Sequence, residues 1–302
     1  MTEDLTKKYA EFANDLNLST QILDHFVKAG IAEDLGTGDL TVQSIVDPET
    51  KGIARIFAKS DGVIAGILLA WRVFHELDKN IEIINIISDG TSVKSGDEVL
   101  AFSGNAGAML SAERTALNFL GKLSGIATLA QNFMHEVQGL QVKVCDTRKT
   151  TPGWRMLEKY AVRAGGMTNH RINLSDQVLI KENHLRVSGK TLEQAVQDSV
   201  SANPGKIIGA EAETLEEMMQ AINAGANFVL IDEFSLEDMQ KAVQIRDEIF
   251  EKTGQKVELE ASGGVNLSTI RKIAETGVDR ISLGAVTHSA KVLDLSCLFD
   301  RM

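Results

Sequence analysis

Two cysteines, Cys145 and Cys297, are all that this chain of 302 residues contains. Far apart in sequence, they form neither a disulfide framework nor a metal-ligand cluster, and a reducing cytoplasm is the expected setting. Long apolar runs are missing too. The longest, Val63–Trp71, is too short to span a bilayer, and the N-terminal MTEDLTKKYAEF has no apolar signal core. Widespread positive charge is also absent: 31 Lys and Arg face 42 Asp and Glu, a formal net charge of −11. That balance argues against a nucleic-acid or anionic-membrane partner. No G-x-G-x-x-G opens a predicted helix, so the usual dinucleotide fingerprint is lacking. What remains is 43% hydrophobic and 24% charged, the make-up of a soluble globular protein with ample material for a core.

The cations that do exist are gathered in one place. Between Arg148 and Arg186 stand eight Lys or Arg (Arg148, Lys149, Arg155, Lys159, Arg163, Arg171, Lys181, Arg186) against Glu158, Asp176 and Glu182. This window is net +5, which leaves −16 for the rest, and it holds His170 and His184 besides. Arg offers a flat fork that matches carboxylate and phosphate oxygens, and Lys a compact point charge. A site for a small, multiply charged anion is the reading set against a plain solvated basic face. Pro152, Gly153, Gly165 and Gly166 break the run into turns, which suits a site.

The hydrophobic rhythm divides the chain. Residues 1 to about 35 read as helices, followed by β-like runs at 53–58, 62–66, 81–87 and 98–104, a helix at Ile67–Leu77 and a turn at 89–99. This predicts a small N-terminal α/β sandwich over 1–112, onto which a tail at 289–302 packs back. A long helix is predicted over 108–137. Beyond it, apolar strands at 141–145, 177–181, 206–211, 228–232, 257–261 and 279–284 alternate with helices near 153–164, 191–202, 214–224, 235–252 and 267–276. Such alternation predicts parallel β with covering helices, closing as an incomplete α/β barrel over 113–288. A seventh strand is allowed near 165–169, and an open doubly wound sheet is the alternative closure.

In such barrels the site is built from loops at the carboxyl ends of the strands. Those ends read Asp146-Thr147-Arg148-Lys149, Lys181-Glu182-Asn183-His184, Glu211, Asp232, Ser262-Gly263-Gly264, and Gly284 followed by His288. Glu211 and Asp232 suit a divalent cation or sugar hydroxyls, and Ser262-Gly263-Gly264, ahead of a helix, suits a phosphate. A rival, non-enzymatic reading takes residues 89–104 as the hairpin of a biotinyl or lipoyl carrier, but Lys94-Ser95-Gly96 does not supply the lysine setting such a carrier needs. His170 and His184 lack metal-ligand spacing, so a zinc site is not expected.

The strings LSAERTALNFLGKLSGIAT (110–128), DTRKTTPGWRMLEKYAVRAGG (146–166), HRINLSDQVLIKENH (170–184), EASGG (260–264) and ISLGAVTHS (281–289) closely resemble the quinolinate phosphoribosyltransferases. The resemblance runs from GDLT (38–41) almost to the C-terminus. It implies an N-terminal sandwich, an open seven-stranded α/β barrel and a cytoplasmic homodimer with composite sites. It also implies an activity: transfer of the phosphoribosyl group of phosphoribosyl pyrophosphate (PRPP) to quinolinate, giving nicotinate mononucleotide, carbon dioxide and pyrophosphate in NAD biosynthesis. Magnesium would accompany PRPP, with no organic cofactor.

By position, Arg148, Lys149, His170 and Arg171 match the residues that grip the quinolinate carboxylates, and Arg114 the arginine given by the neighbouring subunit. Lys181 stands between the two substrates. Glu211 and Asp232 match the acidic pair beside ribose and metal; Ser262, Gly263, Gly264, Gly284 and His288 match the 5′-phosphate site. The resemblance casts Lys149, Lys181, Glu211 and Asp232 as catalytic. There are departures: Met167 replaces a third glycine and is able to narrow the pocket, Glu182 replaces a common Asp, and Glu233 follows Asp232 where an Asn is common. A molybdenum-associated paralogue with a different substrate is the alternative, and Lys181 and Asn183 favour quinolinate over it. Nicotinate phosphoribosyltransferase, which consumes ATP, is a more distant one.

Overall fold

The structure, a computed structural model, describes residues 2–302. In chain order the elements begin α1 (Thr2–Asp15), α2 (Thr20–Leu35), α3 (Leu40–Ile45), β1 (Lys51–Ala58), β2 (Gly62–Val63), α4 (Ile67–Leu77), β3 (Glu82–Ile86), β4 (Ser92–Val93), β5 (Glu98–Asn105) and α5 (Ala106–Glu136). They continue β6 (Lys143–Cys145), α6 (Arg155–Ala164), β7 (Val178–Ile180), α7 (Glu182–Ser188), α8 (Leu192–Ala202), β8 (Ile208–Ala212), α9 (Leu215–Asn223) and β9 (Phe228–Asp232). The last are α10 (Leu236–Thr253), β10 (Glu258–Ser262), α11 (Ile270–Ala274), β11 (Arg280–Ser282), α12 (Ala285–His288) and β12 (Leu295–Arg301). No described helix is long and apolar enough to cross a membrane.

The chain forms two compact units. One holds the described residues through Gln131 with Met156–Gly166 and Ala290–Met302; the other holds Asn132–Arg155 and Met167–Ser289. The division falls inside α5 at Gln131, where the sequence suggests 112/113, and α6 supplies most of its length to the first unit.

In the first unit β12, β1, β5 and β3 form an antiparallel sheet in that order. Burial alternates along β1, as expected of a sheet with one face on the core. Trp71, Phe74 and Phe102 are buried there, with the two Phe rings 4.3 Å apart. Helix α4 starts at Gly66, which has no side chain to cap it. Asp89 does so from a distant loop, accepting from the Gly66 and Ile67 amides at 2.9 and 3.0 Å. The segment expected to be only a turn, 89–99, contains β4, which pairs with β2.

The second unit is a parallel sheet in the order β6-β11-β10-β9-β8-β7. On the outer side of β6, Thr168 bridges Cys145, also in parallel. The expected seventh strand is thus one bridge, and the order is cyclic with its opening between Thr168 and β7. This is the open α/β barrel. Strand β9 is buried along four of its five residues, as a strand covered on both faces should be. Gly209 faces Phe228 so closely that any side chain there would overlap the ring. Phe228 thereby fills the base of the barrel beside Leu179 and Leu230. Truncating it to Ala would cost ~3–5 kcal/mol.

Candidate active site

Parallel register places interior residues in layers. Glu211, Leu230, Glu260 and Arg280 are neighbours across β8, β9, β10 and β11, and Asp232 pairs with Ser262 above them. A cavity of about 290 Å³ opens at this end, lined by Thr147, Arg148, Lys149, His170, Arg171, Leu179, Lys181, Leu230, Glu260, Ser262 and Ser282. It lies near the lower end of ligand-pocket sizes (~300–1,000 Å³).

Of the eight clustered cations, four line the cavity: Arg148, Lys149, Arg171 and Lys181. The others do not converge as the sequence suggests. Arg155 braces the loop by donating to Thr150 Oγ1 at 3.0 Å and to the Ile172 carbonyl at 3.3 Å. Arg186 faces Glu182 at 3.5 Å. Lys159 and Arg163 belong to the first unit, the former buried and the latter paired with Asp15 at 2.7 Å. Arg114 is exposed on α5 in the first unit and is not among the lining residues. Nor is Met167, which is buried and does not narrow this cavity.

The anion-directed wall comes from two loops. After β6 a tight turn, Thr150 N–H to the Arg148 carbonyl at 2.9 Å, turns Arg148 and Lys149 toward the mouth. Buried Asp146 holds the second loop by accepting from the His170 amide at 2.7 Å and the Asn169 amide group at 2.8 Å. Arg171 Nη1 donates to the Gln177 carbonyl at 3.1 Å. Burial, and then the charge of Arg148, push the Arg171 guanidinium below its ordinary value, with Asp176 opposing. Arg148 Nε is buried without a hydrogen-bond partner among the described residues. Crowded cations and an unmet buried donor both call for an anion.

Of the remaining predicted residues Ser262 lines the cavity, whereas Glu211, Asp232, Gly263, Gly264, Gly284 and His288 are not among the lining residues. Lys181 Nζ is bonded to Glu211 Oε2. Asp232, half-buried at the end of β9, has no side-chain partner among the described residues. Gly263 and Gly264 both have left-handed φ, 90° and 59°. The helix expected near 267–276 starts only at Ile270, because Asn266 Oδ1 takes the Ser268 amide at 2.9 Å and forms a turn first. The glycine amides therefore act as a loop, not as a helix end. Gly284 begins α12, and Lys149 and His288 both pass over it. Thr287 Oγ1 donates to the Lys149 carbonyl at 2.7 Å.

Sequence reading missed Glu260 and Arg280. Glu260 is fully buried, 3.1 Å from His170 Nε2 and 3.0 Å from Arg280 Nε. The signal was present: charged residues at every second position of otherwise apolar strands, Glu258 and Glu260 in β10 and Arg280 in β11.

Comparison with known proteins agrees with this architecture. The quinolinate phosphoribosyl transferase N-terminal domain matches residues 39–124, and the C-terminal domain of the same name matches residues 126–297. A probable nicotinate-nucleotide pyrophosphorylase (carboxylating) of Bacillus subtilis is 41% identical over 283 residues, 94% of this chain and 93% of its own. A quinolinate phosphoribosyltransferase (decarboxylating) of Nicotiana tabacum is 35% identical over 294 residues, 93% of this chain and 83% of its own. The solved nicotinate-nucleotide pyrophosphorylase of Francisella tularensis superposes with a TM-score of 0.85 at 38% identity, covering 93% of this chain and 96% of that one. With two domains matched in series and relatives this similar along nearly its whole length, the chain belongs to the quinolinate phosphoribosyltransferase family.

Proposed function

We propose that the protein transfers the phosphoribosyl group of PRPP to the ring nitrogen of quinolinate and releases carbon dioxide, giving nicotinate mononucleotide and pyrophosphate for NAD synthesis. The observation that carries this is the wall of Arg148, Lys149 and Arg171 on one small cavity, with Arg148 Nε buried and unmet among the described residues. Two carboxylates on one flat ring require such cations, and the apolar Leu179 and Leu230 offer the ring a place to lie.

Arg148 and Arg171 clamp the carboxylates and thereby orient the ring nitrogen toward C1 of the ribose, which removes most of the entropy of encounter. Attack by nitrogen forms the C–N bond as the C–O bond to pyrophosphate breaks, and the ribose carries positive charge in the transition state. Glu211, near the carboxyl end of β8, and Asp232, at that of β9, stabilise that charge and hold the ribose hydroxyls. Lys181, anchored by Glu211, and Lys149 neutralise the departing pyrophosphate. The 5′-phosphate is received by Ser262, Gly263, Gly264, Gly284 and His288. Loss of carbon dioxide then leaves its electron pair on the ring carbon beside the cationic nitrogen, and a proton from water replaces it.

Among the described residues no three His, Cys, Asp or Glu side chains form a metal cage, so magnesium would come with the phosphates of PRPP. The partnerless carboxylate of Asp232, with Glu211, fits it, and the ion would supply charge neutralisation at the leaving group. Arg114, exposed on α5, acts in the site of a second copy, which makes the homodimer the active form. Inactive Arg114→Ala and Lys149→Ala subunits mixed and exchanged should then regain roughly a quarter of normal activity.

The reaction is tested with carboxyl-labelled quinolinate. Labelled carbon dioxide should appear together with pyrophosphate, only when PRPP is present. Use of nicotinate in its place, without carbon dioxide, would refute the assignment.

A further inference from the structure

Both ring nitrogens of His170 have partners inside the protein. Nδ1 accepts the backbone N–H of Arg171 at 2.7 Å and lies 3.3 Å from Gln177 Nε2. A ring nitrogen that accepts leaves the other to carry the hydrogen, and Nε2 is 3.1 Å from Glu260 Oε1. The second oxygen of Glu260 is 3.0 Å from Arg280 Nε, and the Arg280 guanidinium lies 4.9 Å over the Phe228 ring. Both contacts of Glu260 are at hydrogen-bond distance, though bent from ideal alignment. Burial alone would push the Glu260 carboxyl up. Its contact with His170, the charge of Arg280 and Ser282 outweigh that and hold it below the usual range. An ionised carboxylate is thus fixed beneath the imidazole.

We infer that Glu260 is a positioning residue that holds His170 in its Nε2–H form, and that the imidazole so held orients Arg171 without itself donating to substrate. The physical chain is continuous. Arg280 fixes Glu260, Glu260 fixes the ring, Nδ1 receives the Arg171 amide, and Gln177 touches both His170 and the Arg171 guanidinium. Partners that fix the tautomer of metal-ligating histidines affect function about 10–100-fold, and that scale is carried over to His170. The effect on quinolinate rests on the function proposed above; the tautomer does not.

Two measurements test this. In the whole protein labelled with nitrogen-15 histidine, NMR should show His170, assigned by its loss in His170→Asn, with a pyridine-like Nδ1 and a pyrrole-like Nε2. The opposite tautomer, or a mixture, overturns the inference, and this result needs no variant of Glu260 to fold. In kinetics, Glu260→Leu should raise the quinolinate KM by about 10–100-fold and leave the PRPP KM unchanged. Glu260→Gln, whose carbonyl still accepts from Nε2–H, should recover most of that loss. Equal loss in both variants, tracking their melting temperatures, would mean a structural role only and overturns it. An unaltered protein that does not turn over quinolinate would refute the proposed function and leave the tautomer result standing.

Discussion

Lys149 lies across Gly284: a Cβ placed on Gly284 would sit 2.7 Å from Lys149 Cδ and 3.1 Å from His288 Cδ2. Gly284 has φ −82°, which any residue adopts, so its smallness and not its backbone freedom is what the site uses. Gly284→Ala should push the flexible Lys149 chain aside, changing stability by less than about 1 kcal/mol. Activity should fall at least tenfold, roughly, as a displaced ammonium no longer meets the phosphates. Thermal melting and steady-state kinetics on one preparation decide it; a destabilised variant with normal turnover would contradict the geometry.

Glu233 is held at φ 55°, in the left-handed region, where its amide reaches the Ser262 carbonyl at 3.0 Å. Any side chain with a Cβ pays there, by ~1–2 kcal/mol, and Asn is tolerated best after Gly. Glu233→Asn should therefore raise stability by up to about 1 kcal/mol in urea unfolding, with the slope unchanged. Equal or lower stability would show that the Glu233 side chain has a compensating role.

The Asp24 carboxylate receives Arg72 Nε at 2.8 Å and Nη2 at 3.0 Å, with the Tyr9 hydroxyl at 3.2 Å. Burial raises its pKa, but Arg72 above all, then Tyr9 and Lys28, hold it below the ordinary 3.8. A lowered folded value means that this stabilisation is present above 3.8 and is lost as pH falls through the lowered value. Asp24→Asn should cost about 1 kcal/mol at pH 7, a figure reduced for solvent screening, and the gap to the parent should close in acid. A gap independent of pH would assign the loss to packing.

Much of the scaffold was legible in sequence because periodicity and burial coincide. The helix at Ile67–Leu77 was read to the residue, and the apolar run FVLID became β9 unchanged. Short elements escaped. LTVQSI forms α3 through the Asp39 cap, which accepts the Val42 amide at 2.9 Å, and six residues give no periodic signal. LSCLFDR is strand β12 because it pairs with β1, a long-range contact that local pattern does not contain. At the site, strand ends point to Arg148, Lys149 and Lys181, and the cation cluster and the family resemblance to Arg171. Glu260 was overlooked because it lies within a strand, where its partners His170 and Arg280 come from distant segments.

The central claim is that these cations read two carboxylates on one substrate. Calorimetric titration of quinolinate and, separately, of PRPP onto the parent and Arg171→Ala tests it most directly. Loss of this half-buried cation from the clamp, which bound substrate would desolvate, should weaken quinolinate by about 2–5 kcal/mol and leave PRPP binding much less affected. Equal weakening of both ligands, or none for quinolinate, would contradict it.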